Sequence, residues 1–260
     1  MNELERIVTR TRAEVAQRRG AVSIEAVKRR AAAAAPPRPF ASALSQPGLS
    51  LIAEHKRRSP SAGPIRVDAR LEDVVGAYQR AGARALSILT EEQGFGGSLD
   101  DLRRAREAAT LPILRKDFII DEYQLFEALA GGADAILLIV AAIDRGRLER
   151  LYERAGQLGL GILVEVHDRR ELAVAVDLGA ELIGINNRDL TTLRVDINRT
   201  HELLALVPAG TVTVAESGFR TRPELERLAR AGVDGVLIGE SLMRAADIEA
   251  ACRELTGVKA

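Results

Sequence analysis

From residue 50 onward, hydrophobic and polar positions follow a unit that repeats along the chain. Each unit has an amphipathic stretch that ends at glycine, as at Gly82 and Gly232, followed by a short, continuous apolar run. Glycine accepts the left-handed backbone conformation that closes a helix. The amphipathic stretches begin at residues suited to helix capping, namely Ser98, Asp121, Asp168 and Thr221. The pattern therefore predicts helices that alternate with buried strands.

Eight apolar runs are long enough to be strands. They lie near residues 50–56, 84–89, 111–116, 134–139, 161–166, 181–186, 211–215 and 233–238. Continuous apolar strands that alternate with helices are typical of a parallel sheet covered by helices. Eight consecutive units predict an α/β fold of the (β/α)8 TIM-barrel type. A doubly wound sheet is the alternative, but no glycine-rich fingerprint follows the first strand and the number of units is even and high.

Residues 1–48 follow a different pattern. Apolar residues with helical spacing occur in a segment rich in arginine and glutamate: Leu4, Ile7, Val8 and Val15. A second helix is predicted from Ser23 to Ala35, before the segment Pro36-Pro37-Arg38-Pro39. We interpret residues 1–48 as a helical extension laid against a catalytic barrel of residues 49–260, in a single domain overall. A disordered basic tail is the less favoured alternative.

Charge and composition exclude several classes of protein. Acidic and basic residues balance at 37 each in a chain of 260 residues, which gives no reason to expect binding to nucleic acid or to a membrane surface. No apolar run approaches the roughly 18 residues that span a bilayer. The N-terminus lacks the apolar core of a signal peptide. We therefore expect a soluble, cytoplasmic protein.

Lysine is rare, which makes its positions informative. Only four of the 37 basic residues are lysines, namely Lys28, Lys56, Lys116 and Lys259. Arginine does not release its proton at working pH, whereas the pKa of a buried lysine can be shifted until it does. Lys56 and Lys116 both stand at the ends of apolar strands. Their placement suggests chemistry at these two positions.

Further polar residues stand at the C-terminal ends of the predicted strands, where TIM barrels carry their active sites. They are Glu54 and Lys56 on the first strand, Lys116 on the third, Glu165 on the fifth, Asn186 on the sixth, and Glu216 and Ser217 on the seventh. Side chains from alternate strands fill one layer of a barrel, so charges on odd-numbered strands are expected to converge. Surface charge would explain any one of them alone, but not the whole set on one rim. The pKa values within such a cluster are expected to shift.

Two glycine-containing segments predict a phosphate site. Glu216-Ser217-Gly218 ends the seventh strand, and Ile238-Gly239-Glu240-Ser241 ends the eighth. Glycine lets backbone N–H groups approach an oxyanion closely, and the loops after these two strands are the usual phosphate site of TIM barrels. Glycines that serve only as tight turns are the alternative.

The histidines and the single cysteine give no metal-site pattern. His55, His167 and His201 are widely spaced, and we interpret each of them as a surface residue. Cys252 is interpreted as a core residue of the last helix. One cysteine cannot form an internal disulfide or a multi-cysteine metal site.

The ordered motifs of the chain resemble those of the indole-3-glycerol phosphate synthase family of tryptophan biosynthesis. The matching segments are Ile52-Ala-Glu-His-Lys-Arg-Arg-Ser-Pro-Ser61, Leu86-Ser-Ile-Leu-Thr-Glu91, Phe95-x-Gly-Ser98, Leu114-Arg-Lys-Asp-Phe-Ile119, Val164-Glu-Val-His-Asp168, Ile183-Gly-Ile-Asn-Asn-Arg-Asp-Leu190, Ala215-Glu-Ser-Gly218 and Leu237-Ile-Gly-Glu-Ser-Leu-Met-Arg244. They cover the whole barrel, and the N-terminal helical extension is also similar to that of the family.

The resemblance implies closure of the indole ring of 1-(2-carboxyphenylamino)-1-deoxy-D-ribulose 5-phosphate, with loss of CO2 and water, by a carboxy-lyase. Lys116 would be the general acid that protonates the substrate ketone. Lys56 would pair with the anthranilate carboxylate, positioned by Glu54. Glu165, helped by Asn186, would handle protons in the dehydration. The implied chemistry needs no metal and no redox cofactor.

The same resemblance implies a set of substrate-binding residues. Glu216 and Ser217 would contact the sugar hydroxyls or complete the pocket. The phosphate would be surrounded by Ser59, Gly218, Gly239 and Glu240, and the aromatic ring would lie against Phe95 and Phe118. The implied partner is this small sugar-phosphate substrate, and association with other enzymes of the tryptophan pathway is not readable from the sequence.

One departure from the family pattern and two rival functions remain. The loop after the first strand has Ala62 where many members carry lysine, which leaves Arg57 or Arg58 as possible substitutes. Phosphoribosylanthranilate isomerase is one rival, but its internal redox chemistry would use a cysteine and an aspartate at strand ends, which this chain lacks. The other is a non-catalytic phospholigand-binding barrel, which would be expected to have lost at least one charged rim residue.

Overall fold

Eight parallel strands close into a barrel in this protein, for which a computed structural model describes residues 2–258. The strands are β1 (Ser50–His55), β2 (Ala85–Leu89), β3 (Ile113–Lys116), β4 (Ala135–Ile139), β5 (Gly161–Val166), β6 (Leu182–Asn186), β7 (Val212–Glu216) and β8 (Gly235–Ile238). β8 pairs with β1, which closes the sheet and excludes the doubly wound alternative. All eight predicted strands are present, with boundaries within two residues of those expected. Lys259 lies outside the described residues.

Helices surround the barrel on its outer side. Three precede β1, namely α1 (Glu3–Ala21), α2 (Ile24–Ala33) and α3 (Phe40–Leu44). The others are α4 (Leu71–Arg80), α5 (Leu99–Ala108), α6 (Glu122–Ala130), α7 (Arg145–Gln157), α8 (Arg169–Asp177), α9 (Asn198–Leu204), α10 (Arg222–Ala231), α11 (Glu240–Arg244) and α12 (Ile248–Thr256). A two-stranded hairpin, Arg58–Ser59 with Gly63–Pro64, follows β1, and a 3-10 turn, Val140–Ala142, follows β4.

The predicted helix boundaries have the expected local structure. Asp121 and Thr221 each form a capping box, with Gln124 and Glu224 respectively. Each box satisfies backbone N–H groups that the first helical turn leaves unpaired. Gly232 ends α10 with a φ of 95°, a conformation that L side chains rarely adopt. These local signals place each helix between two strands of the barrel.

The helical extension packs against the barrel. Leu4 and Ile7 of α1 are buried in the same apolar cluster as the inward-facing strand residue Ile52 and as Phe118, which follows β3. Full burial of such a side chain contributes about 1.5–3 kcal/mol. Both predicted helices of the extension are present, and α1 lies at the C-terminal rim of the barrel, next to the strand ends.

Within residues 2–258, no helix has the length and apolar character needed to cross a membrane.

Candidate active site

A cavity of about 270 Å³ opens among the C-terminal ends of the strands. All but one of the residues singled out from the sequence line it: Glu54, Lys56, Phe95, Lys116, Phe118, Glu165, Asn186, Glu216, Ser217, Gly218, Gly239 and Glu240. The exception is Ser59, which lines a smaller neighbouring cavity that shares Lys56, Phe95 and Phe118 as common walls. The hydroxyl of Ser59 accepts a hydrogen bond from the backbone N–H of Ala62.

Charges from the odd-numbered strands converge in this cavity as the alternation of strand faces predicts. Nζ of Lys116 on β3 donates to Oε2 of Glu165 on β5 at 2.7 Å, and it lies 3.2 Å from Oε2 of Glu216 on β7. On β1, Glu54 pairs with Lys56 at 2.9 Å, and it accepts a hydrogen bond from Ser87 Oγ at 3.2 Å. The carboxylates are almost completely buried, so each depends on these partners for its charge.

Two glycines on neighbouring strands make room for this cluster. A side chain at position 184 on β6 would collide with Oε1 of Glu216, and one at position 239 after β8 would collide with the carboxylate of Glu54. Both positions lie where an ordinary barrel layer would place a side chain. The small residues therefore let two buried carboxylates extend into the centre of the barrel.

Contacts within the cluster shift the pKa values of its members in different directions. Burial lowers the pKa of the Lys116 ammonium, but Glu165, Glu216 and Glu54 raise it by more, and it stands above its usual value. Burial raises the pKa of Glu165, yet Lys116 and His167 bring it well below its usual value. Burial raises the pKa of Glu216 to about 7, against the opposing effect of Lys116. At neutral pH the site thus contains a charged proton donor, an ionised carboxylate and a carboxyl group that exchanges its proton readily.

A buried arginine supports the loop that follows β3. Arg115 is fully buried and donates to Asp117 at 2.8 Å, to Thr90 Oγ1 at 3.1 Å and to the carbonyl of Gln124 at 2.7 Å. The side-chain amide of Gln124 in turn donates to the carbonyl of Phe118. This network fixes the chain on which Phe118 faces the cavity, and sequence reasoning gave Arg115 no role.

The loops after β7 and β8, where the sequence predicts a phosphate site, contain residues with positive φ and backbone N–H groups without a partner in the part of the chain that the structure describes. Ser217 and Gly218 both have positive φ, at 66° and 98°. No hydrogen bond among residues 2–258 uses the N–H of Gly218. α11 starts after Gly239 without a side-chain cap, so its first N–H groups have no intrahelical partner. The carboxylate of Glu240 lies along α11, with its Oε1 3.2 Å from Nε of Arg244.

Three further cavity residues were not singled out from the sequence. Arg188 and Arg220 place cations on the wall, and Arg188 also donates to the carbonyl of Leu193. The hydroxyl of Ser241 is buried and has no hydrogen-bond partner among the described residues. Arg188 and Ser241 lie within motifs that match the family. The motifs could therefore have identified them, but the sequence does not show that their side chains face the cavity.

Two of the four histidine and cysteine interpretations are wrong. His55 is buried on the outer face of β1, where burial lowers its pKa to about 4. His167 is only 10% exposed and lies between Glu165 and Glu171. His201 on α9 is exposed and Cys252 is buried in the core, as predicted. The outer face of a barrel strand is covered by helices, so a histidine there does not reach solvent.

The two arginines near Ala62 differ in whether a carboxylate already pairs with them. Arg57 forms a bidentate pair with the buried carboxylate of Asp101 at 2.6 and 2.9 Å. Arg58 is exposed, and no ion pair within the described part of the chain includes it. Of the two possible substitutes for a loop lysine, Arg58 is the one whose charge is unpaired.

The family model and the related proteins that match this chain agree on one family. A family model described as indole-3-glycerol phosphate synthase matches residues 4–255. The chain is 52% identical over 241 residues to indole-3-glycerol phosphate synthase 2 of Streptomyces coelicolor, covering 92% of this chain and 93% of the relative. It is 46% identical over 259 residues to the indole-3-glycerol phosphate synthase of a Nocardioides species, covering 100% of each.

Solved structures with low sequence identity share the fold. A 3-hexulose-6-phosphate synthase superposes with a TM-score of 0.63 at 17% identity, covering 80% of this chain and 99% of the other. A mutant tryptophan synthase α-subunit from Pyrococcus furiosus gives a TM-score of 0.61 at 17% identity, covering 80% and 98%. At these identities the likeness extends to the barrel alone.

Proposed function

This chain belongs to the indole-3-glycerol phosphate synthase family, and from that membership we propose how its residues divide the reaction. The enzyme is a carboxy-lyase of tryptophan biosynthesis. It converts 1-(2-carboxyphenylamino)-1-deoxy-D-ribulose 5-phosphate to indole-3-glycerol phosphate, CO2 and water. One new carbon–carbon bond closes the ring, the carboxylate leaves as CO2, and the former ketone oxygen leaves as water.

Lys116 is the proposed general acid of ring closure. As the aromatic carbon attacks the ketone carbon, the ammonium donates a proton to the ketone oxygen, which leaves a hydroxyl group. The observation that supports this role most strongly is the position of Nζ between Glu165 and Glu216 at the cavity wall. Those carboxylates keep the lysine charged and aim it, so a donor is in place before the substrate binds.

Glu165 is the proposed proton acceptor and donor of the later steps. After decarboxylation, the ring loses its hydroxyl group as water and a proton from carbon, and an ionised carboxylate can take that proton. Asn186, which lines the same cavity, would orient the departing hydroxyl group. Its side-chain oxygen accepts a hydrogen bond from the N–H of Arg188, which leaves its amide N–H groups to face the cavity.

The remaining residues bind the two ends of the substrate. Lys56, held by Glu54, would pair with the anthranilate carboxylate, while Phe95 and Phe118 enclose the ring. At the other end, backbone N–H groups at Gly218, Gly239 and Glu240 would bind the phosphate. Ser59, which the resemblance also assigns to the phosphate, lines the smaller cavity beside Lys56 and would have to reach the anion from there. Glu216 and Ser217 would contact the sugar hydroxyls between the two ends. The support for this division is that the aromatic side chains of Phe95 and Phe118 and the glycines Gly218 and Gly239 line the same cavity.

We further propose that residues 1–48 and the barrel of residues 49–260 work as one domain in the cytoplasm. Leu4 and Ile7 line the smaller cavity beside Lys56, so the extension contributes to the wall on the anthranilate side. A single cysteine in the chain suits a reducing compartment.

An indole fluorescence assay tests the proposed function. The purified protein is mixed with the carboxyphenylamino substrate, and the expected result is a rise in indole fluorescence together with release of CO2. Isomerisation of phosphoribosylanthranilate in its place would support the isomerase. Binding of the carboxyphenylamino substrate without turnover would support a phospholigand-binding barrel.

A further inference from the structure

His167 stands behind the carboxylate that the reaction uses. It follows β5 directly and, two positions after Glu165, it projects from the same face of the strand. Its Nε2 lies 3.3 Å from Oε1 of Glu165, and its Nδ1 lies 2.9 Å from Oε2 of Glu171 on α8. The same oxygen of Glu171 accepts a hydrogen bond from the backbone N–H of His167 at 2.8 Å. One carboxylate therefore anchors both the ring and the backbone of this histidine.

The two oxygens of Glu165 have different partners. Oε2 accepts the hydrogen bond from Lys116, whereas Oε1 is buried and has no hydrogen-bond partner among the described residues. Nε2 of His167 is also buried without a hydrogen-bond partner in that part of the chain, and it is the ring nitrogen that lies near Oε1. The ring and the ammonium thus lie against opposite oxygens of one carboxylate.

The surroundings favour the charged form of the ring. Burial lowers the pKa of His167, but Glu165 and Glu171 raise it by more, to about 10. Lys116 and Glu216 lie on the far side of Glu165, and Arg169 and Arg170 on α8 are exposed to solvent. The turn Val140–Ala142, which packs on both β5 and α8, has no titratable side chain. In the charged form that these two carboxylates favour, both ring nitrogens carry a proton and can donate it.

We propose that His167 is a positioning residue of the reaction, in which an imidazolium anchored by Glu171 holds Glu165 in its reactive orientation and keeps it ionised. The proposal rests on the proposed role of Glu165. When Lys116 has given its proton to the substrate and is neutral, the imidazolium remains as the cation that holds the carboxylate. Because a buried carboxylate with fewer cations beside it takes up a proton more readily, loss of the ring would raise the pKa of Glu165 and leave less of its base form, even with Lys116 in place.

The test compares three variants in the indole assay across pH. His167→Gln keeps a polar side chain and removes the charge, Glu171→Gln keeps the ring and weakens its anchor, and His201→Gln is the matched control on an exposed helix face. For His167→Gln we expect kcat to fall about tenfold to a hundredfold, with a much smaller change in KM. We also expect the acidic limb of its pH profile to move up by about one unit or more. For Glu171→Gln, kcat and the acidic limb should change in the same direction but by less. His201→Gln should have the kcat and pH profile of the wild type.

The outcomes separate this inference from the proposed function. If His167→Gln has the kcat and pH profile of His201→Gln, the inference is wrong. If Glu165→Gln is fully active, the role proposed for Glu165 fails whatever His167 does. Should His167→Gln fail to fold, Glu171→Gln carries the test, and an unchanged pH profile in that variant overturns the proposal. Partial rescue of His167→Ala by added imidazole would support it if the rescued rate follows the imidazolium fraction across pH, because a ring that only fills the cavity would not give that dependence.

Discussion

Nζ of Lys116 lies 2.7 Å from Oε2 of Glu165, although 49 positions separate the two residues in the chain. They meet because both end odd-numbered strands of the barrel, whose inward side chains share one layer. Glu216 on β7 completes the arrangement from the other side of the ammonium. A donor and two carboxylates in fixed contact can move protons without first reorganising solvent, which is the property that a ring closure followed by dehydration needs.

Glu165→Gln should lower kcat more than it raises KM. Glutamine keeps the size of the side chain and a contact with Lys116, but it cannot accept a proton. The loss should therefore appear in the chemical steps, at about 100-fold to 10,000-fold in kcat. Steady-state kinetics with the carboxyphenylamino substrate checks this. A change confined to KM would make Glu165 a binding group and remove it from the proton transfers.

Glu216 should titrate near neutral pH, and its neighbours should move that titration in opposite directions. Burial raises its pKa to about 7, Lys116 lowers it and Glu165 raises it. Lys116→Met should therefore shift the midpoint upward, and Glu165→Gln should shift it downward. Isotope-edited infrared spectroscopy of the carboxyl C=O band gives the midpoint, and Glu216→Gln identifies the band. Shifts of the same sign in both variants would contradict this account of the cluster.

The raised pKa of Glu216 should also make the free energy of unfolding depend on pH. Because the folded-state pKa of Glu216 lies above its usual value of 4.5, the protonated form favours the folded state. Its contribution should be fully present below about 4.5 and lost as the pH rises through about 7. Urea unfolding of the wild type and of Glu216→Gln should show the wild type losing free energy of unfolding relative to the variant over this range.

Arg10 of the extension should affect substrate binding through the loop that contains Phe95. Its guanidinium pairs with the buried carboxylate of Glu91, which also accepts hydrogen bonds from the N–H groups of Gly94 and Phe95 at 2.6 and 3.0 Å. Arg10→Ala should destabilise the protein by about 1–3 kcal/mol and raise KM more than it lowers kcat. Arg12→Ala, on an exposed position of the same helix, is the matched control. Equal effects in the two variants would show that Arg10 has no special connection with the site.

A bound phosphate or sulfate should lie between the loops after β7 and β8. The N–H groups at Gly218 and at Gly239-Glu240 should donate to it, because a dianion needs several donors in a fixed array. Glu240 should keep its contact with Arg244 when the anion binds. Crystals soaked in phosphate check the site directly. An anion bound elsewhere on the barrel, with these amides bonded internally, would contradict the phosphate site and weaken the substrate assignment.

The barrel and most of its cluster were predictable because both depend on short-range rules. Strand periodicity placed Glu54, Lys116 and Glu165 on inward faces, and barrel symmetry brought them together. The same alternation puts His167 on the face of Glu165, and its contacts with Glu165 and Glu171 show that its interpretation as a surface residue is wrong. The position of Ser59 was harder to predict, because the hairpin after β1 directs this residue towards the neighbouring cavity. No local pattern in the sequence fixes the direction of that turn.

Buried charged residues on the outer face of the barrel were also not predictable from the sequence. Arg115 stands between Leu114 and Lys116 in the chain, and an arginine in that position would ordinarily be expected at the surface. Its partners Thr90, Asp117 and Gln124 come from three different segments, so the network exists only once β2, β3 and α6 are assembled. Interactions of this kind follow from tertiary packing and have no signature in local spacing.

The rate of indole formation by Lys116→Met, measured beside the wild type, tests the central claim most directly. Methionine keeps the length of the side chain and removes the proton, so turnover should fall by about 100-fold to 10,000-fold. Circular dichroism and phosphate affinity should stay close to those of the wild type, because Glu216 can take up a proton when the ammonium is gone and His167 still lies beside Glu165. A folded Lys116→Met protein that keeps more than half of the wild-type turnover would contradict the account and move the role of general acid to Lys56.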